Sequence, residues 1–214
     1  MKLLVILCNH YFDETWCENI KCLDDYMKTN DMEVDYCGIS NQNDFDVYEN
    51  IIQFKYKIIN TNYQFSKVCD FITDYKSELH YDWYMKIRPE VKLFEHIPFH
   101  MLSENAINTR ARVYTGPRKI KYGMSINGEG PWKNIGDCLY DETEHSVVLD
   151  DMIYIFDKNT IQNNAFEKIP TSTETQNEWL HTRIFNERKI QFNIIGIHLC
   201  FTKNNSFSGH INME

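Results

Sequence analysis

The chain opens with an uninterrupted apolar run and then changes to a helical spacing. Residues 3–8 are all apolar, which is typical of a central strand covered on both faces. Beyond them, apolar residues recur at steps of three and four, at Phe12, Trp16, Ile20, Leu23 and Met27. This spacing predicts a helix of about four turns, with Asp13 as its N-cap.

Strand and helix patterns continue to alternate up to about residue 90. Strands are predicted over residues 33–39 and 53–59, a helix over residues 64–77, and a further strand that ends at Arg88. The resulting order, β-α-β-β-α-β, is typical of an open, mainly parallel sheet with helices on both faces. We therefore expect an α/β fold.

The second half of the chain has a weaker pattern. Residues 95–146 contain scattered Gly and Pro and predict short strands with long loops, the kind of insertion that covers a site. A strand is predicted over residues 147–156, a helix over residues 174–186 with a capping box at Thr173 and Gln176, and a last strand over residues 192–199. No repeat or linker interrupts the chain, so we expect a single domain over residues 1–214.

Composition narrows the functional classes. Hydrophobic residues make up 43% of the chain, as expected for a globular protein, and the formal charge of -9 argues against a nucleic-acid partner. Seven cysteines without a Cys-x-x-Cys pair indicate free thiols in a reducing, cytoplasmic compartment rather than a zinc ribbon. No segment has the length of a membrane span, and the motifs of dinucleotide, P-loop and serine hydrolase enzymes are missing.

The strand that ends at Arg88 is followed by Pro89 and Glu90. A carboxylate placed just past a strand of an α/β sheet lies at the edge where such sheets bind ligands. Arg88 offers a planar fork for phosphate, and Glu90 offers oxygen ligands for a hard divalent cation. The alternative is an ordinary strand end, with a solvated Glu90 paired to Arg88.

Two adjacent acids, Asp150 and Asp151, interrupt the apolar strand over residues 147–156. A buried carboxylate is unfavourable unless it is paired or bound to a metal, and strand alternation points the two side chains to opposite faces. One of them is therefore expected to enter a site. The alternative is a bulge that exposes both acids.

Further candidates lie at the ends of other predicted elements. Asn9 and His10 end the first strand, at the same edge of the sheet as Arg88. Tyr63 and Lys67 lie at the start of the second helix, where anions bind favourably and where an aromatic ring offers a surface to a base. The alternatives are a surface histidine and a simple helix cap.

The segment from Asp82 to Glu90 resembles the Asp-Trp-x-x-x-x-Arg-Pro-Asp segment of a group of nucleotide-sugar glycosyltransferases with the GT-A fold. Glu90 replaces the final Asp. In that family the segment stands in for the Asp-x-Asp motif that holds Mn²⁺ and the diphosphate of the donor. The resemblance is strongest to a glycosyltransferase domain of large chlorella-virus proteins that build capsid glycans.

This resemblance implies a GT-A-like, mixed and mainly parallel sheet, a UDP-sugar donor with glucose or rhamnose as the sugar, Mn²⁺ or another divalent cation, and a glycan acceptor. The nucleotide-binding half would span residues 1–95, and the acceptor or lid half residues 96–214. The site residues implied are Asp151 and Asp150 for catalysis, Glu90 and His210 for the metal, and Cys8, Asn9, His10, Tyr63, Lys67 and Arg88 for the donor.

Two other classes stay open at this point. A metal-dependent phosphodiesterase or nuclease would use the same acids, together with two metals and a basic groove. A sugar-binding domain without catalytic activity would keep the aromatic residues and lose the metal. Binding of UDP with Mn²⁺, strand cleavage, or neither would distinguish the three.

Overall fold

The structure is a computed structural model, and it describes residues 1–30, 32–93, 97–115, 124–126, 145–169, 178–195, 197, 199–203 and 206–207. The strands in these ranges are β1 (Lys2–Cys8), β2 (Glu33–Ser40), β3 (Phe54–Ile59), β4 (Trp83–Ile87), β5 (Val91–Leu93), β6 (Ala106–Thr115), β7 (Met124–Ile126), β8 (His145–Asp157), β9 (Gln191–Ile194), β10 (Leu199–Lys203) and β11 (Ser206–Phe207). The α-helices are α1 (Cys17–Thr29), α2 (Gln64–Tyr75), α3 (Lys158–Gln162) and α4 (Glu178–Glu187).

The main sheet has the strand order β3-β2-β1-β4-β8-β6-β7, and β9 also pairs with β6. The strands β3, β2, β1 and β4 are parallel to one another, whereas β8 runs antiparallel to both of its neighbours. The strands β11, β10 and β5 form a second, smaller sheet. The predicted α/β fold with a mixed, mainly parallel sheet is confirmed.

Helices cover both faces of the sheet because the central strand β1 is apolar on both sides. Leu4, Ile6 and Cys8 pack in one hydrophobic cluster with side chains of α2 and α4. Leu3, Val5 and Leu7 pack in a second cluster with side chains of α1. The continuous apolar run of residues 3–8 is thus explained by burial on two sides.

The start of the first helix and the last predicted strand differ from the sequence prediction. Asp13 caps a short 3₁₀ turn, Glu14–Trp16, by accepting a hydrogen bond from the Thr15 amide at 2.8 Å, and α1 begins only at Cys17. The single strand predicted over residues 192–199 is two strands, β9 and β10. The predicted capping box at residues 173 and 176 lies outside the described residues.

Strand β6 is longer than the short strands predicted for residues 95–146. Three of its consecutive residues, Asn108, Thr109 and Arg110, are polar and have no exposed surface. The polar groups bond inside the sheet: Asn108 Nδ2 donates to the Ile155 carbonyl at 3.1 Å, and Thr109 Oγ1 donates to the Ile153 carbonyl at 2.5 Å. A buried strand of polar residues lacks the apolar pattern by which strands are found in a sequence.

No helix within the described ranges is both long enough and apolar enough to cross a membrane.

Candidate active site

The candidate site lies where the parallel strands β1, β2 and β4 end at a common edge. Because β8 runs antiparallel to β4, its middle reaches this edge too, and the Arg88 amide donates to the Met152 carbonyl at 3.1 Å. The segments that follow the three parallel strands therefore lie beside the pair of acids in β8. This is the position at which α/β sheets bind ligands.

Arg88 is bonded to two carboxylates at this edge. Its Nε donates to Glu90 Oε1 at 2.6 Å, its Nη2 also bonds to that oxygen, and its Nη1 donates to Asp151 Oδ2 at 3.2 Å. Glu90 is buried, while the side chains of Arg88 and Asp151 are 22% and 23% exposed. The pairing of Glu90 with Arg88 matches the simple alternative in part, but the carboxylate is enclosed rather than solvated.

Asn9 connects the acids to the other side of the site. Its Nδ2 donates to Glu90 Oε2 at 2.6 Å, and its Oδ1 accepts hydrogen bonds from the His10 amide at 2.9 Å and from Gln64 Nε2 at 3.0 Å. Its carbonyl accepts a hydrogen bond from Lys67 Nζ at 2.7 Å. Asn9 thus fixes the neighbouring site residues through both its side chain and its backbone.

Lys67 carries a buried positive charge below this edge. Its side chain has no exposed surface, and its Nζ also donates to Asn41 Oδ1 at 2.5 Å. Burial lowers the pKa of Lys67. Desolvation, followed by the charges of Lys67 and Arg88, lowers the pKa of the nearby His10, which favours the neutral imidazole.

Two half-exposed tyrosines stand at the same edge. Tyr63 is 48% exposed and is the N-cap residue of α2. Tyr11 is 47% exposed, and its ring stacks on Trp16 with a centroid distance of 5.3 Å. Both rings offer flat apolar surfaces for a base or a sugar.

The two adjacent acids of β8 have different surroundings. Asp150 has no exposed surface, and its Oδ2 lies 3.4 Å from Nη1 of Arg110, which is fully buried as well. Its Oδ1 accepts a hydrogen bond from the Met152 amide at 3.2 Å. Asp151 instead reaches Arg88, so it is Asp151 that lies with the residues of the candidate site.

Two further predicted residues are Cys8 and His210. Cys8 is fully buried beneath the edge, where its Sγ donates to the Gln64 carbonyl at 3.5 Å and burial raises the pKa of the thiol. His210, the second residue predicted to bind a metal, lies outside the described residues.

Several residues of the cluster were not predicted from the sequence: Tyr11, Asn41, Gln64 and Lys86. Of these, Lys86 has a signal in the sequence, since it is a charged residue within the apolar strand β4. Asn41 and Gln64 have none, because polar residues next to a strand or at a helix start are usually solvated caps.

A divalent cation suits the chemistry of this edge. Among the residues that the structure describes, no group of three or more His, Cys, Asp or Glu side chains is arranged to hold a metal. Hard cations of the Mg²⁺ type, however, often bind through one or two carboxylates together with substrate phosphates. Glu90, which is bonded to Arg88 and Asn9, is the buried carboxylate at this edge that offers such oxygen ligands.

Comparison with known proteins gives a likeness in structure only. No protein-family model and no curated protein sequence matches the chain. HddC from Yersinia pseudotuberculosis has a similar structure, with a TM-score of 0.53 and 8% identity over 94% of this chain and 92% of that one. The two proteins therefore share a fold.

Two further structures are similar at lower scores. The inositol-1-phosphate CTP transferase from T. maritima has a TM-score of 0.49 and 7% identity, over 92% of this chain and 87% of that one. The nucleoside-diphosphate-sugar pyrophosphorylase from Vibrio cholerae has a TM-score of 0.47 and 11% identity, over 94% of this chain and 95% of that one. By fold and site, the chain is an α/β protein with a charged cluster at the carboxyl edge of its parallel strands.

Proposed function

We propose that the chain is a glycosyltransferase that moves a sugar from a UDP-sugar donor to a hydroxyl of a growing glycan. The observation that supports this most directly is the meeting of Arg88, Glu90 and Asp151 at the carboxyl edge of the sheet, next to Asn9 and the buried Lys67. The resemblance of the Arg-Pro-Glu segment to GT-A transferases points to the same reaction.

The cationic side chains suit a diphosphate that leaves during sugar transfer. Arg88 presents a planar fork, and Lys67 adds a buried charge in the first turn of α2. Charges held in place where negative charge builds up stabilise a transition state more than the same charges in water do. To bind the phosphates, Arg88 would exchange its bond to Glu90 or Asp151 for bonds to the phosphate oxygens.

Asp151 suits the role of the base. It is the acid of the β8 pair that lies in the cluster, and its side chain is partly exposed. A carboxylate so placed can orient the hydroxyl of the acceptor and take its proton as the new bond forms. Asp150, which is paired with the buried Arg110, would help to hold the neighbouring Asp151 in place.

Mn²⁺ or another divalent cation is part of this proposal. Glu90 would hold it together with the phosphates of the donor, with His210 as a further ligand. The cation would offset negative charge on the departing diphosphate.

The aromatic and amide groups at the edge suit the uridine. Tyr63 or Tyr11 offers a face to the uracil ring, and the loop at Asn9 and His10 borders the same space. We propose glucose or rhamnose as the donor sugar and viral capsid glycans as the product, on the strength of the resemblance to chlorella-virus transferases.

Nucleotidyl transfer is the reaction for which two of the similar structures are named. The loop after β1, residues 9–13, contains no glycine and so lacks the Gly-rich pattern that commonly holds nucleotide phosphates. Both reactions bind a nucleotide with its phosphates, so the product that is released, UDP or pyrophosphate, distinguishes them.

A binding and turnover panel tests the proposal. UDP with Mn²⁺ should raise the melting temperature and bind in calorimetry, whereas GDP and CMP at the same concentration should bind poorly, because unpaired polar groups disfavour the wrong base. UDP-glucose or UDP-rhamnose should be hydrolysed slowly without an acceptor, and with a glycan its sugar should be transferred faster to a glycan hydroxyl, with release of UDP.

Each rival class has its own result in the same panel. Release of pyrophosphate from UTP and a sugar 1-phosphate would identify a nucleotidyltransferase, and cleavage of an oligonucleotide would identify a nuclease. Binding of a glycan without any binding of UDP would identify a sugar-binding domain. Equal stabilisation by UDP and GDP would refute the uridine assignment.

A further inference from the structure

Strand β8 contains a bulge at its two acids. On its β6 side, Thr109 pairs with Tyr154 but Ala111 pairs with Leu149, so that β8 has extra residues between these two pairs. On its β4 side the pairing stays regular as far as Ile153, which pairs with Ile87. The bulge therefore contains Asp150 and Asp151, and it bends β8 at the point where β4 ends.

Side chains from both neighbouring strands bond to the backbone of this bulge. Lys86 of β4 donates from its Nζ to the carbonyl of Asp151. Thr109 of β6 donates from its Oγ1 to the carbonyl of Asp150 at 3.3 Å and to that of Ile153 at 2.5 Å. Carbonyl groups that lose their ladder partners in a bulge are thus bonded by side chains.

Lys86 is an unexpected residue for this task. It is 1% exposed, lies between the apolar residues Met85 and Ile87, and has its Nζ 5.3 Å from the centre of the Tyr154 ring. In the described part of the chain, no carboxylate oxygen lies within 4.0 Å of its Nζ. Burial lowers the pKa of Lys86, and the charge of Asp151 is the largest opposing effect.

A buried ammonium that bonds a neutral carbonyl is unfavourable for stability compared with an apolar side chain of similar size. Residues that break a local packing rule without a gain in stability are most often found at functional sites. The hydrogen bond from Lys86 helps to fix the position of Asp151. The carbonyl of Asp151 is bonded to Lys86, and its carboxylate is bonded to Arg88.

We propose that Lys86 is a positioning residue for Asp151, which fixes the β8 bulge so that this carboxylate stands beside Arg88 at the edge of the sheet. The role in catalysis rests on the proposed function, since Asp151 is the base in that reaction. The fixing of the bulge does not depend on the reaction, and it is open to a separate measurement.

The test compares Lys86→Met, which removes both charge and donor, with Lys86→Gln, which keeps an N–H donor. Lys57→Met serves as the matched control. Lys57 is an exposed lysine of a strand, and it forms an ion pair with Glu49 rather than contacting Asp150 or Asp151. Melting temperature, UDP affinity, UDP-sugar turnover and hydrogen–deuterium exchange are measured for each variant.

We expect Lys86→Met to melt no lower than the wild type and to exchange faster only in residues 149–153. Turnover should fall by about tenfold to a hundredfold while the affinity for UDP changes by less than about threefold, because a small displacement of a reacting group affects rate more than binding. Lys86→Gln should lie between, and Lys57→Met should match the wild type.

Unchanged exchange in residues 149–153 would overturn the proposal, as would a fall in turnover accompanied by an equal fall in affinity for UDP. A loss of folding in both Lys86 variants would show a structural role and overturn it too. If the wild type neither binds UDP nor turns over a UDP-sugar, the proposed function fails, and the exchange measurement still decides whether Lys86 fixes the bulge.

Discussion

Replacing Asp150 and Asp151 one at a time by Asn should affect two different properties of the protein. The side chains have the same chemistry and adjacent positions, so the substitutions are matched by construction. Asp150 faces the buried Arg110 with no exposed surface on either side chain, whereas Asp151 shares the partly exposed Arg88 with Glu90. Asp150→Asn should therefore lower stability, and Asp151→Asn should lower turnover.

The magnitudes follow from burial. Removing one charge from a fully buried pair costs about 3–5 kcal/mol, because the remaining charge stays out of water. At roughly 2–4 °C per kcal/mol for a chain of this size, Asp150→Asn should lower the melting temperature by roughly 6–20 °C. For the partly exposed Asp151 the loss should be at most about 1 kcal/mol, since Arg88 keeps its bond to Glu90.

Turnover should fall more in Asp151→Asn than in Asp150→Asn, the opposite of the order for stability. Loss of a general base commonly lowers the rate about 10²- to 10⁴-fold, so Asp151→Asn should reduce UDP-sugar turnover in that range. The affinity for UDP should change little, because Asp151 serves the acceptor rather than the nucleotide. Asp150→Asn should retain measurable turnover below its melting temperature.

Urea denaturation, calorimetry with UDP and Mn²⁺, and a turnover assay are the measurements needed. Asp74→Asn is the control, because Asp74 forms an ion pair with Lys168 in which both side chains are about half exposed. It should leave both stability and turnover close to those of the wild type. The interpretation of the two acids is refuted if Asp150→Asn is as stable as the control, or if Asp151→Asn keeps wild-type turnover.

Three further results are expected. Glu90→Ala should keep the fold but lower the affinity for UDP with Mn²⁺ by roughly tenfold in calorimetry, and unchanged affinity would remove Glu90 from the site. Gly38→Ala should destabilise by about 1–3 kcal/mol in urea, because the new Cβ would lie 2.9 Å from atoms of both the Phe45 and Phe54 rings. Because desolvation and the charges of Lys67 and Arg88 lower the pKa of His10, stability is full above the unfolded value of 6.5 and falls as the pH drops through the folded value, so His10→Gln should reduce this loss in urea denaturation at a series of pH values.

The first ninety residues show how far an apolar pattern determines a fold. The run over residues 3–8 predicted a central strand, because a strand that is buried on both faces is apolar at every position. The apolar residues of α1 recur every three to four positions, which predicted a helix that is buried on one face. The pairing of Arg88 with Glu90, which was the simpler alternative for this strand end, follows from their separation of two residues. Local spacing was sufficient in each of these cases.

Contacts that depend on sheet order could not be found in this way. Lys86 meets Asp151, and Arg110 meets Asp150, only because β4 and β6 lie on either side of β8. The periodicity of each strand gives its faces but not its neighbours. The bulge adds a second difficulty, since extra residues in one strand change which side chain points to the site.

The candidate site contains buried positive charges within an acidic chain. The whole protein carries a formal charge of -9, but Lys67 and Lys86 are buried under the edge and bond neutral oxygens of Asn9, Asn41 and Asp151. Buried charges are screened by salt much less than exposed ones. The positive charges of Lys67 and Lys86 therefore act on a ligand at the edge above them. An acidic surface repels a long polyanion such as a nucleic acid, whereas a small diphosphate can approach a local cationic edge. This distribution of charge supports the proposal of a nucleotide-sugar donor rather than a nucleic-acid strand.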